Sequence, residues 1–492
     1  MITTEHDVET LRETANHHCA QAAWSQALPV LRELWARGYE PALTATNLGT
    51  AYMNTCQVPE AIRWFRQALA LHPQIVAAQE NLIFLTDLQP ETTDADATRE
   101  RHGWWARQGA QAYARRRTYY LNDRDPEKRL RVGYYCGDFN FHSSGIASTA
   151  VIRQHSAQIE PVFLSSLPPS AHDATTAFIK EQYPDSFVDV SGFTAPAIAD
   201  GLHQGAFDIV VDLAGFTHGN GLLALAEKPA PIQIQAWGYV LGTQTPTIDF
   251  VFADPVVAPP SVRARLAERV VDLPCVLSFY PRPNLPDPNR LPCLDGEPVT
   301  FSVYQRAMKT HAGCYRVWRQ ILERVPGSRI LFKASDYSPE KRDAMMASFR
   351  GLEGRVIFEY PTAHKEHLLS YGYVDLALDP WPQTGGVSTL EAAWMGVPTV
   401  TLLGERMIQR ASASILTALG IARGFVAETE ADYIEKAVEW TTTGRVRLNA
   451  VRAGMRPMLK ASPIMTGYVE AVEQQYRLLW REWCQSQNKE AA

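Results

Sequence analysis

The spacing of hydrophobic positions changes near residue 130. Up to about residue 120 the apolar residues recur at helical intervals, and from Leu130 onward short apolar runs of strand length alternate with helix-like segments. That alternation is typical of parallel βαβ units. The predicted strands are LRVGYYCG, PVFLSSL, FDIVVDLAG, PIQIQAWGY and IDFVFAD in a first set, and VTFSVY, SRILFKA, RVIFEY, YVDLALD and PTVTLLG in a second. The pattern predicts a helical region followed by two Rossmann-like α/β units that face a cleft.

The helical region carries the spacing of a tetratricopeptide repeat, with small residues where two helices touch and large ones between them. The positions that fit are Leu48, Gly49, Tyr52, Ala61, Phe65, Ala68 and Pro73. A weaker copy lies one repeat earlier, where Ala27 and Leu31 precede Ala61 and Phe65. About three repeats are needed for an independent array, whereas the pattern gives roughly two. We therefore expect the helical block to pack on the α/β region that comes after it.

Polar and proline-rich stretches set the predicted domain boundaries. Residues 88–98, LQPETTDADAT, predict a polar linker, and residues 280–298 contain six prolines, which is typical of a stiff spacer. The predicted units are repeat-like helices over 1–88, a linker and connecting helix over 89–128, a first Rossmann-like half over 129–280, an interdomain linker over 281–298, a second Rossmann-like half over 299–460, and a crossover helix with a tail over 461–492.

Composition narrows the class of protein. Of the 492 residues 46% are hydrophobic and 20% charged, which is typical of a soluble globular protein, and the net charge of −6 gives no reason to expect a nucleic-acid partner. The seven cysteines are scattered without a CxxC pair, so neither a disulfide frame nor a zinc site is indicated. The N-terminus lacks the apolar core of a signal peptide, and no apolar run approaches the roughly 18 residues of a membrane span. We expect a cytoplasmic protein.

Candidate functional residues follow several of the predicted strands. Ligands of parallel α/β sheets bind beyond the carboxyl ends of the strands. The residues at those positions are Asp138 and His142 after the first strand, Arg306 and Lys309 after VTFSVY, and His364 and His367 after RVIFEY. Each alone is explained by an ordinary role, such as a loop histidine or a solvated lysine. Their joint occurrence favours a ligand-binding cleft.

The most informative stretch is DPWPQTGGVSTLEAAWMGVPTV, residues 379–400. It places Gly385 and Gly386 between a predicted strand and a predicted helix, with Ser388 and Thr389 positioned to cap that helix. Such a loop gathers free backbone N–H groups at the positive end of a helix dipole, which suits an anion such as phosphate. An ordinary βα turn is the alternative interpretation.

On these residues the chain resembles the catalytic region of the protein O-GlcNAc transferase and SPINDLY-like family. The likeness rests on RVGYYCGDFNFHSSG, VDLAGFTHGN with KPAPIQIQAWGYVLGT, QRAMK with VPGSRILFKA, and DPWPQTGGVSTLEAAWMGVPTVTLLGERMIQRASAS. Together with the repeats it covers about residues 15–484. The resemblance implies a GT-B architecture with the acceptor side in the first half and nucleotide-sugar binding in the second. It also implies inverting, metal-independent and cofactor-free transfer of a sugar to Ser or Thr hydroxyls of protein acceptors, with UDP-GlcNAc as the leading donor.

The resemblance further implies roles for individual residues. His142 matches the active-site histidine, and Lys309 matches the lysine that contacts the diphosphate. The segment that recognises uracil is matched by Thr362, Ala363 and His364 together with His367. The phosphate loop and helix start are matched by Gly385, Gly386, Val387, Ser388 and Thr389, and the ribose-binding acid by Glu391, while Arg306 completes the predicted donor site.

Three departures from the family pattern bear on the donor. The animal enzymes have His-Thr-Thr where this chain has Gly386-Val387-Ser388, Asp at the position of Glu391, and Gln at the position of Arg306. GDP-fucose or another UDP-hexose is therefore an alternative donor. A non-catalytic helical-repeat scaffold with a degenerate GT-B half is a further alternative, against which the retained catalytic and ribose-binding residues argue.

Overall fold

The computed structural model describes residues 2–281 and 285–490, with side chains described over 7–281 and 285–488. An all-helical block comes first, as the sequence pattern predicts. Its helices are α1 (Ile2–Ala20), α2 (Trp24–Ala36), α3 (Pro41–Asn54), α4 (Val58–Leu71), α5 (Val76–Asp87), α6 (Asp94–Trp104) and, after one π-helical turn over Trp105–Gly109, α7 (Ala110–Tyr113).

In the helical block each helix from α1 to α6 packs against the next along the chain, most extensively α3 against α4. The repeat positions Ala27, Leu31, Ala61 and Phe65 are all buried in it. A Cβ atom added to Gly49 would lie only 2.6 Å from the ring of Phe65, so α3 and α4 can approach because residue 49 has no side chain. The predicted tetratricopeptide character of the block is confirmed by this packing.

The first sheet has seven strands, all parallel, in the order β3-β2-β1-β4-β5-β6-β7. The strands are β1 (Leu130–Cys136), β2 (Ile159–Ser165), β3 (Phe187–Asp189), β4 (Ile209–Asp212), β5 (Ile232–Gln235), β6 (Phe250–Ala253) and β7 (Arg269–Asp272). The helices of this half are α8 (Ser143–Ile152), α9 (Ala174–Gln182), α10 (Ala195–Gln204), α11 (Leu222–Leu225) and α12 (Pro260–Arg263). Tyr134 of the inner strand β1 is in register with Phe163 on one side and Val211 on the other, and all three are buried.

The second sheet has six parallel strands in the order β10-β9-β8-β11-β12-β13. They are β8 (Thr300–Val303), β9 (Arg329–Lys333), β10 (Val356–Glu359), β11 (Leu376–Leu378), β12 (Thr399–Leu402) and β13 (Val426–Ala427). The helices are α13 (Ala312–Arg324), α14 (Pro339–Ser348), α15 (His364–Ser370), α16 (Val387–Trp394), α17 (Ala411–Ala418), α18 (Ala422–Phe425), α19 (Glu430–Thr441), α20 (Arg445–Ala461) and α21 (Tyr468–Glu490). The predicted pair of Rossmann-like sheets is confirmed.

All ten predicted strands form, but the sequence pattern missed β3, β7 and β13. Each of the three is an outer strand of two to four residues. Such strands are covered on fewer sides, so they lack a continuous apolar run: Val188 in β3 is 42% exposed.

The two predicted linkers behave differently from free spacers. The prediction of a polar linker over residues 88–98 is wrong beyond Thr93, because helix α6 begins at Asp94. The Thr93 hydroxyl accepts from the Asp96 N–H, and the Asp96 carboxylate accepts from the Thr93 N–H, so the two residues form a capping box. The polar residues of this helix start have the composition that is also typical of a linker.

The proline-rich segment includes residues 282–284, which lie outside the described residues. Beyond them the segment is attached to the second half of the molecule. Arg452 donates to the Asn289 carbonyl (2.7 Å), and the Asp375 carboxylate accepts from the Cys293 N–H (2.9 Å). The domain boundaries themselves stay predictions.

The last helix, α21, returns to the first sheet. The Trp237 indole donates to the Tyr468 hydroxyl (3.0 Å), and the Tyr476 hydroxyl lies 3.2 Å from that of Tyr134. The helix therefore connects the end of the second half to the core of the first. Over the described residues, the helices all fall short of the combination of length and apolarity that a bilayer crossing requires.

The helical block packs on both halves, as expected, and its main attachment is the carboxylate of Asp87 at the end of α5. That carboxylate accepts from Arg101 (2.6 Å), from Arg406 of the second half (2.8 Å) and from the Tyr239 hydroxyl of the first half (3.2 Å). The side chain of Asp87 is 2% exposed, and Arg101 and Arg406 are also buried. One carboxylate thus joins the three parts of the molecule.

Replacing Asp87 by alanine should leave Arg101 buried without a carboxylate partner. Arg406 would keep only the longer contact of its Nε with Asp94 (3.4 Å). Losing the partner of a buried charge typically costs about 3–5 kcal/mol. We expect that loss in the unfolding transition followed by tryptophan fluorescence in urea. Glu60→Ala is the control, since Glu60 pairs with Arg63 at the surface and should change the free energy of unfolding by less than about 1 kcal/mol. An Asp87→Ala protein as stable as the control would show that the attachment does not depend on this carboxylate.

Candidate functional site

A cleft of about 600 Å³ opens between the carboxyl ends of the two sheets. Most of the predicted site residues line it, namely His142, Arg306, Lys309, Thr362, His364, His367, Gly385, Gly386, Val387, Ser388 and Glu391. The helical block contributes a wall through Met53, Asn54, Asn81 and Phe84, which the sequence analysis did not identify. The cleft is therefore formed by all three parts of the chain.

Two of the predicted residues lie outside the cleft lining. Ala363 precedes α15, and its carbonyl accepts from the His367 N–H (2.8 Å). Thr389 is buried beneath the glycine loop, where its hydroxyl pairs with that of Ser412 (2.8 Å). Both residues support neighbouring residues that do line the cleft.

The glycine loop between β11 and α16 is held by Asp379. One carboxylate oxygen of Asp379 accepts from the Gly385 N–H (2.8 Å), and the other accepts from the Thr401 hydroxyl on β12 (2.8 Å). A Cβ atom at Gly385 would lie 2.7 Å from the Gln305 amide nitrogen and still closer to the Thr389 hydroxyl, so the loop has this path only with glycine. Burial raises the pKa of Asp379 to about 6, although several hydrogen bonds and Lys309 oppose the shift.

The predicted caps of α16 are wrong. The helix begins at Val387 after Gly386, and no side chain caps it. Ser388 and Thr389 instead lie in the first turn, where Ser388 accepts from the Gln305 amide (2.6 Å). Because the first N–H groups of a helix have no partner within it, the uncapped start leaves donors for a ligand.

Lys309 ends a short 3₁₀ turn after β8 and points at the same loop. Its Nζ donates to the side-chain amide oxygen of Gln305 (3.0 Å) and lies 3.5 Å from the Thr384 main-chain carbonyl oxygen. Burial lowers the pKa of Lys309 to about 8, and the nearby Asp379 carboxylate limits the fall. A partly buried ammonium group is stabilised more by a bound anion than a fully solvated ammonium group would be, because less water screens the charges.

The turn that carries Lys309 is fixed by Asp336. The Asp336 carboxylate accepts from the Ala307 N–H (2.8 Å), and Arg306 Nε lies 3.8 Å from its second oxygen. Arg306 itself is about half exposed at the cleft. The predicted cations of this strand end are therefore one partly buried group, Lys309, and one half-exposed group, Arg306.

Glu391 is paired with two histidines of α15. His364 Nε2 lies 2.8 Å from one carboxylate oxygen, and His367 Nε2 lies 3.7 Å from the other. Burial alone would raise the pKa of Glu391, but the hydrogen bonds from His364 and His367 lower it to about 2, so the carboxylate is ionised at neutral pH. The oxygen facing His367 retains room to accept from a sugar hydroxyl.

His142 precedes α8 at the opposite side of the cleft, and its side chain is 45% exposed. Its Nδ1 accepts from the Ser144 N–H (3.3 Å) and lies 3.3 Å from an Asp138 carboxylate oxygen. With Nδ1 accepting, a neutral ring carries its proton on Nε2 and presents a donor. The preceding residue, Phe141, touches His364, so the loop after β1 meets α15 across the cleft.

Several residues of the site were not predicted from the sequence, namely Tyr304, Gln305 and Lys333 in the cleft wall and Asp379 behind the glycine loop. Gln305 and Tyr304 lie directly at the end of a predicted strand, and Asp379 and Lys333 lie within predicted strand segments. Including the last residue of each predicted strand would have found Tyr304 and Asp379, whereas Lys333 is followed by Ala334 within its predicted strand.

No group of three or more His, Cys, Asp or Glu side chains in the described parts of the chain is arranged to hold a metal ion. Metal independence itself stays a prediction.

Comparison with known proteins places this geometry in a family. A model of glycosyl transferase family 41 matches residues 90–279 and 291–470. The Arabidopsis thaliana protein SPINDLY, named as a probable UDP-N-acetylglucosamine–peptide N-acetylglucosaminyltransferase, is 29% identical over 380 residues, which are 75% of this chain and 41% of that protein. The Arabidopsis protein SEC, named for the same activity, is 28% identical over 373 residues, 73% of this chain and 38% of that protein.

Among solved structures, a mutant of the Thermobaculum terrenum O-GlcNAc transferase superposes with a TM-score of 0.88 at 27% identity, covering 97% of this chain and 92% of that chain. The chain spans less than half the length of the curated relatives it matches. These matches confirm the resemblance inferred from the sequence motifs and the GT-B architecture. The roles of individual residues stay predictions.

The state of Lys309 predicts how nucleotide binding depends on pH. UDP is a suitable probe because a phosphate monoester loses its second proton near about pH 6, so its charge is constant at higher pH. An anion binds better to protonated Lys309, whose pKa is about 8 without ligand. Calorimetric UDP affinity should therefore fall as pH rises through about 8, by up to about tenfold per pH unit.

Lys309→Met should bind UDP more weakly at pH 7 and show no such fall. Lys365→Met is the control, because Lys365 is an exposed residue of the adjacent helix α15. The same pH dependence in Lys309→Met and in the unmodified chain would exclude Lys309 as the titrating group.

Proposed function

We propose, because the chain belongs to glycosyl transferase family 41, that it transfers a sugar from a nucleotide-sugar donor, UDP-GlcNAc, to Ser or Thr hydroxyls of proteins. The observation that carries the proposal is the convergence of partly buried Lys309, the glycine loop and the uncapped start of α16 on one side of the cleft that His142 faces from the other. The names of the SPINDLY and SEC relatives and of the Thermobaculum terrenum enzyme support this donor.

The proposed reaction replaces one bond to the sugar by another. The acceptor hydroxyl oxygen forms a bond to C1 while the bond from C1 to the diphosphate oxygen breaks, and UDP leaves with the bonding electron pair. The hydroxyl proton passes to a phosphate oxygen of the leaving UDP or to solvent. Negative charge therefore grows on the diphosphate. Lys309 and the N–H groups at the start of α16 are positioned to stabilise that charge, and fixed donors of this kind typically contribute about 10²- to 10³-fold in rate. This supply of positive charge is the basis for proposing transfer without a metal.

We assign His142 a hydrogen-bonding role in this reaction. With the Ser144 N–H directed at Nδ1, the neutral ring offers its Nε2 proton to an oxygen of the donor or the acceptor. Service as a general base would require the proton on Nδ1, where the Asp138 carboxylate oxygen 3.3 Å away could accept it at the expense of the Ser144 hydrogen bond. Orientation of substrate oxygens is the role that keeps the Ser144 hydrogen bond.

The protein acceptor is proposed to enter along the wall made by the helical block. That wall places two amides, Asn54 and Asn81, and two apolar side chains, Met53 and Phe84, at the cleft. Amide groups suit the backbone of an extended peptide, and the apolar side chains suit its side chains. A cytoplasmic location for these acceptors stays a prediction from the cysteine pattern.

The first experiment tests which nucleotide base the donor carries. The cleft residues Thr362, His364 and His367 adjoin Glu391, and a pocket built for a pyrimidine rejects the larger purine. UDP and UDP-GlcNAc should protect the chain from thermal unfolding, by about 2.7 kcal/mol at 100 times the dissociation constant, whereas GDP and GDP-fucose should not. Purified chain with UDP-GlcNAc should also add the mass of one N-acetylhexosamine to Ser or Thr of acceptor proteins from an extract.

His367→Ala should weaken the protection by UDP, and His102→Ala, a change at an exposed position of α6, should not. Protection by GDP-fucose alone would replace the uridine donor by the fucosyl alternative. Binding of a nucleotide sugar without any transfer would favour the scaffold alternative.

A further inference from the structure

Lys333 is a buried cation in the wall of the cleft that the proposed reaction does not use. It is the last residue of β9, and its side chain is 4% exposed. Its Nζ lies 3.3 Å from the Ser370 hydroxyl, 3.5 Å from a Glu359 carboxylate oxygen and 5.7 Å from the centre of the Tyr304 ring. Lysine is seldom buried unless it is paired, and the contacts of Lys333 with Ser370 and Glu359 are both longer than an ordinary hydrogen bond.

The hydrogen-bonding capacity of Lys333 is incompletely used by these neighbours. An ammonium group has three donors and accepts nothing. The Ser370 hydroxyl already donates to the His367 carbonyl (2.7 Å), so it can accept from Lys333, and Glu359 can accept a second N–H. At least one donor remains for an acceptor in the cleft.

The order of the strands places this donor on the base side of a bound nucleotide. The anion-binding groups follow β8 and β11, and Glu391 lies one helical turn farther along α16. His364 and His367, bonded to Glu391, follow β10, and Lys333 ends β9 between them and Lys309 in the sheet. In doubly wound sheets the phosphates occupy the helix start and an acidic residue binds the ribose, which directs the base away from that helix. The base is then directed toward Tyr304 and Lys333.

We propose that Lys333 donates a hydrogen bond to a carbonyl oxygen of the nucleotide base, so that the site selects bases with a keto group over bases with an amino group at that position. Uracil and guanine present acceptors there, O4 and O6, whereas cytosine and adenine present the donors N4 and N6. An amino group facing the ammonium would leave two donors opposed and unpaired. The inference rests on the proposed nucleotide-sugar function, and it does not depend on which keto base is the natural one.

Calorimetric titration of the full chain with four nucleoside diphosphates tests the proposal. UDP should bind at least about tenfold more tightly than CDP, as expected for a hydrogen bond to a charged group. In Lys333→Met the affinity for UDP should fall and that for CDP should not, so that the ratio approaches one. Lys333→Arg, which keeps a cationic donor, should retain part of the preference. Lys436→Met is the matched control, since Lys436 is a partly buried, ion-paired lysine of α19 away from the cleft, and it should keep the full ratio.

The comparison of GDP with ADP separates this inference from the donor proposal. Weak binding of both pyrimidines, with GDP preferred to ADP and the preference lost in Lys333→Met, would overturn the uridine donor and support the role of Lys333. If the unmodified chain binds UDP and CDP equally well, and GDP and ADP equally well, the role of Lys333 is overturned even if UDP binds tightly. This outcome does not depend on whether any variant folds. A keto preference that persists unchanged in a folded Lys333→Met protein would overturn it as well.

Discussion

The buried carboxylate of Asp379 is the group on which the geometry of the cleft depends. It accepts from the Gly385 N–H and from the Thr401 hydroxyl, and its charge balances that of Lys309. Its main-chain carbonyl accepts from the buried Tyr433 hydroxyl (3.1 Å). A carboxylate in this position is costly unless it is bonded and paired, and the loop and the lysine supply both. The same contacts prepare an anion site, because they hold donors in place before a ligand arrives.

The rest of the molecule keeps the two sides of this cleft facing each other. Asp87 connects the helical block to both halves through Arg101 and Arg406, and α21 returns from the second half to Tyr134 in the first sheet. The helical block is therefore part of the cleft rather than an appendage. The order of a short repeat array followed by the two α/β halves has a physical reason in this chain, since the array packs on those halves and lines the cleft between them.

The sequence was sufficient to predict the periodic elements of the fold and the strand ends at which the cleft residues lie. Gly49 and Phe65 revealed the repeat because helix contact requires a small residue against a large one, and the buried strands appeared as apolar runs. The outer strands were missed because they are short and partly exposed. The start of α16 was misplaced because Ser388 and Thr389 resemble caps, whereas Gln305, which binds Ser388, is far away in sequence. Pairings such as that of His364 with Glu391 depend on the order of the strands in the sheet, and local pattern does not specify this order.

Titration of UDP binding against pH in Asp379→Asn tests the central claim, that this carboxylate both fixes the loop and maintains the charge of Lys309. Asparagine keeps the volume and removes the charge. Since the carboxylate raises the pKa of Lys309 against the effect of burial, its loss should weaken UDP binding at neutral pH and move the fall in affinity to a pH below about 8. A folded Asp379→Asn chain with the affinity and pH dependence of the unmodified protein would contradict the account.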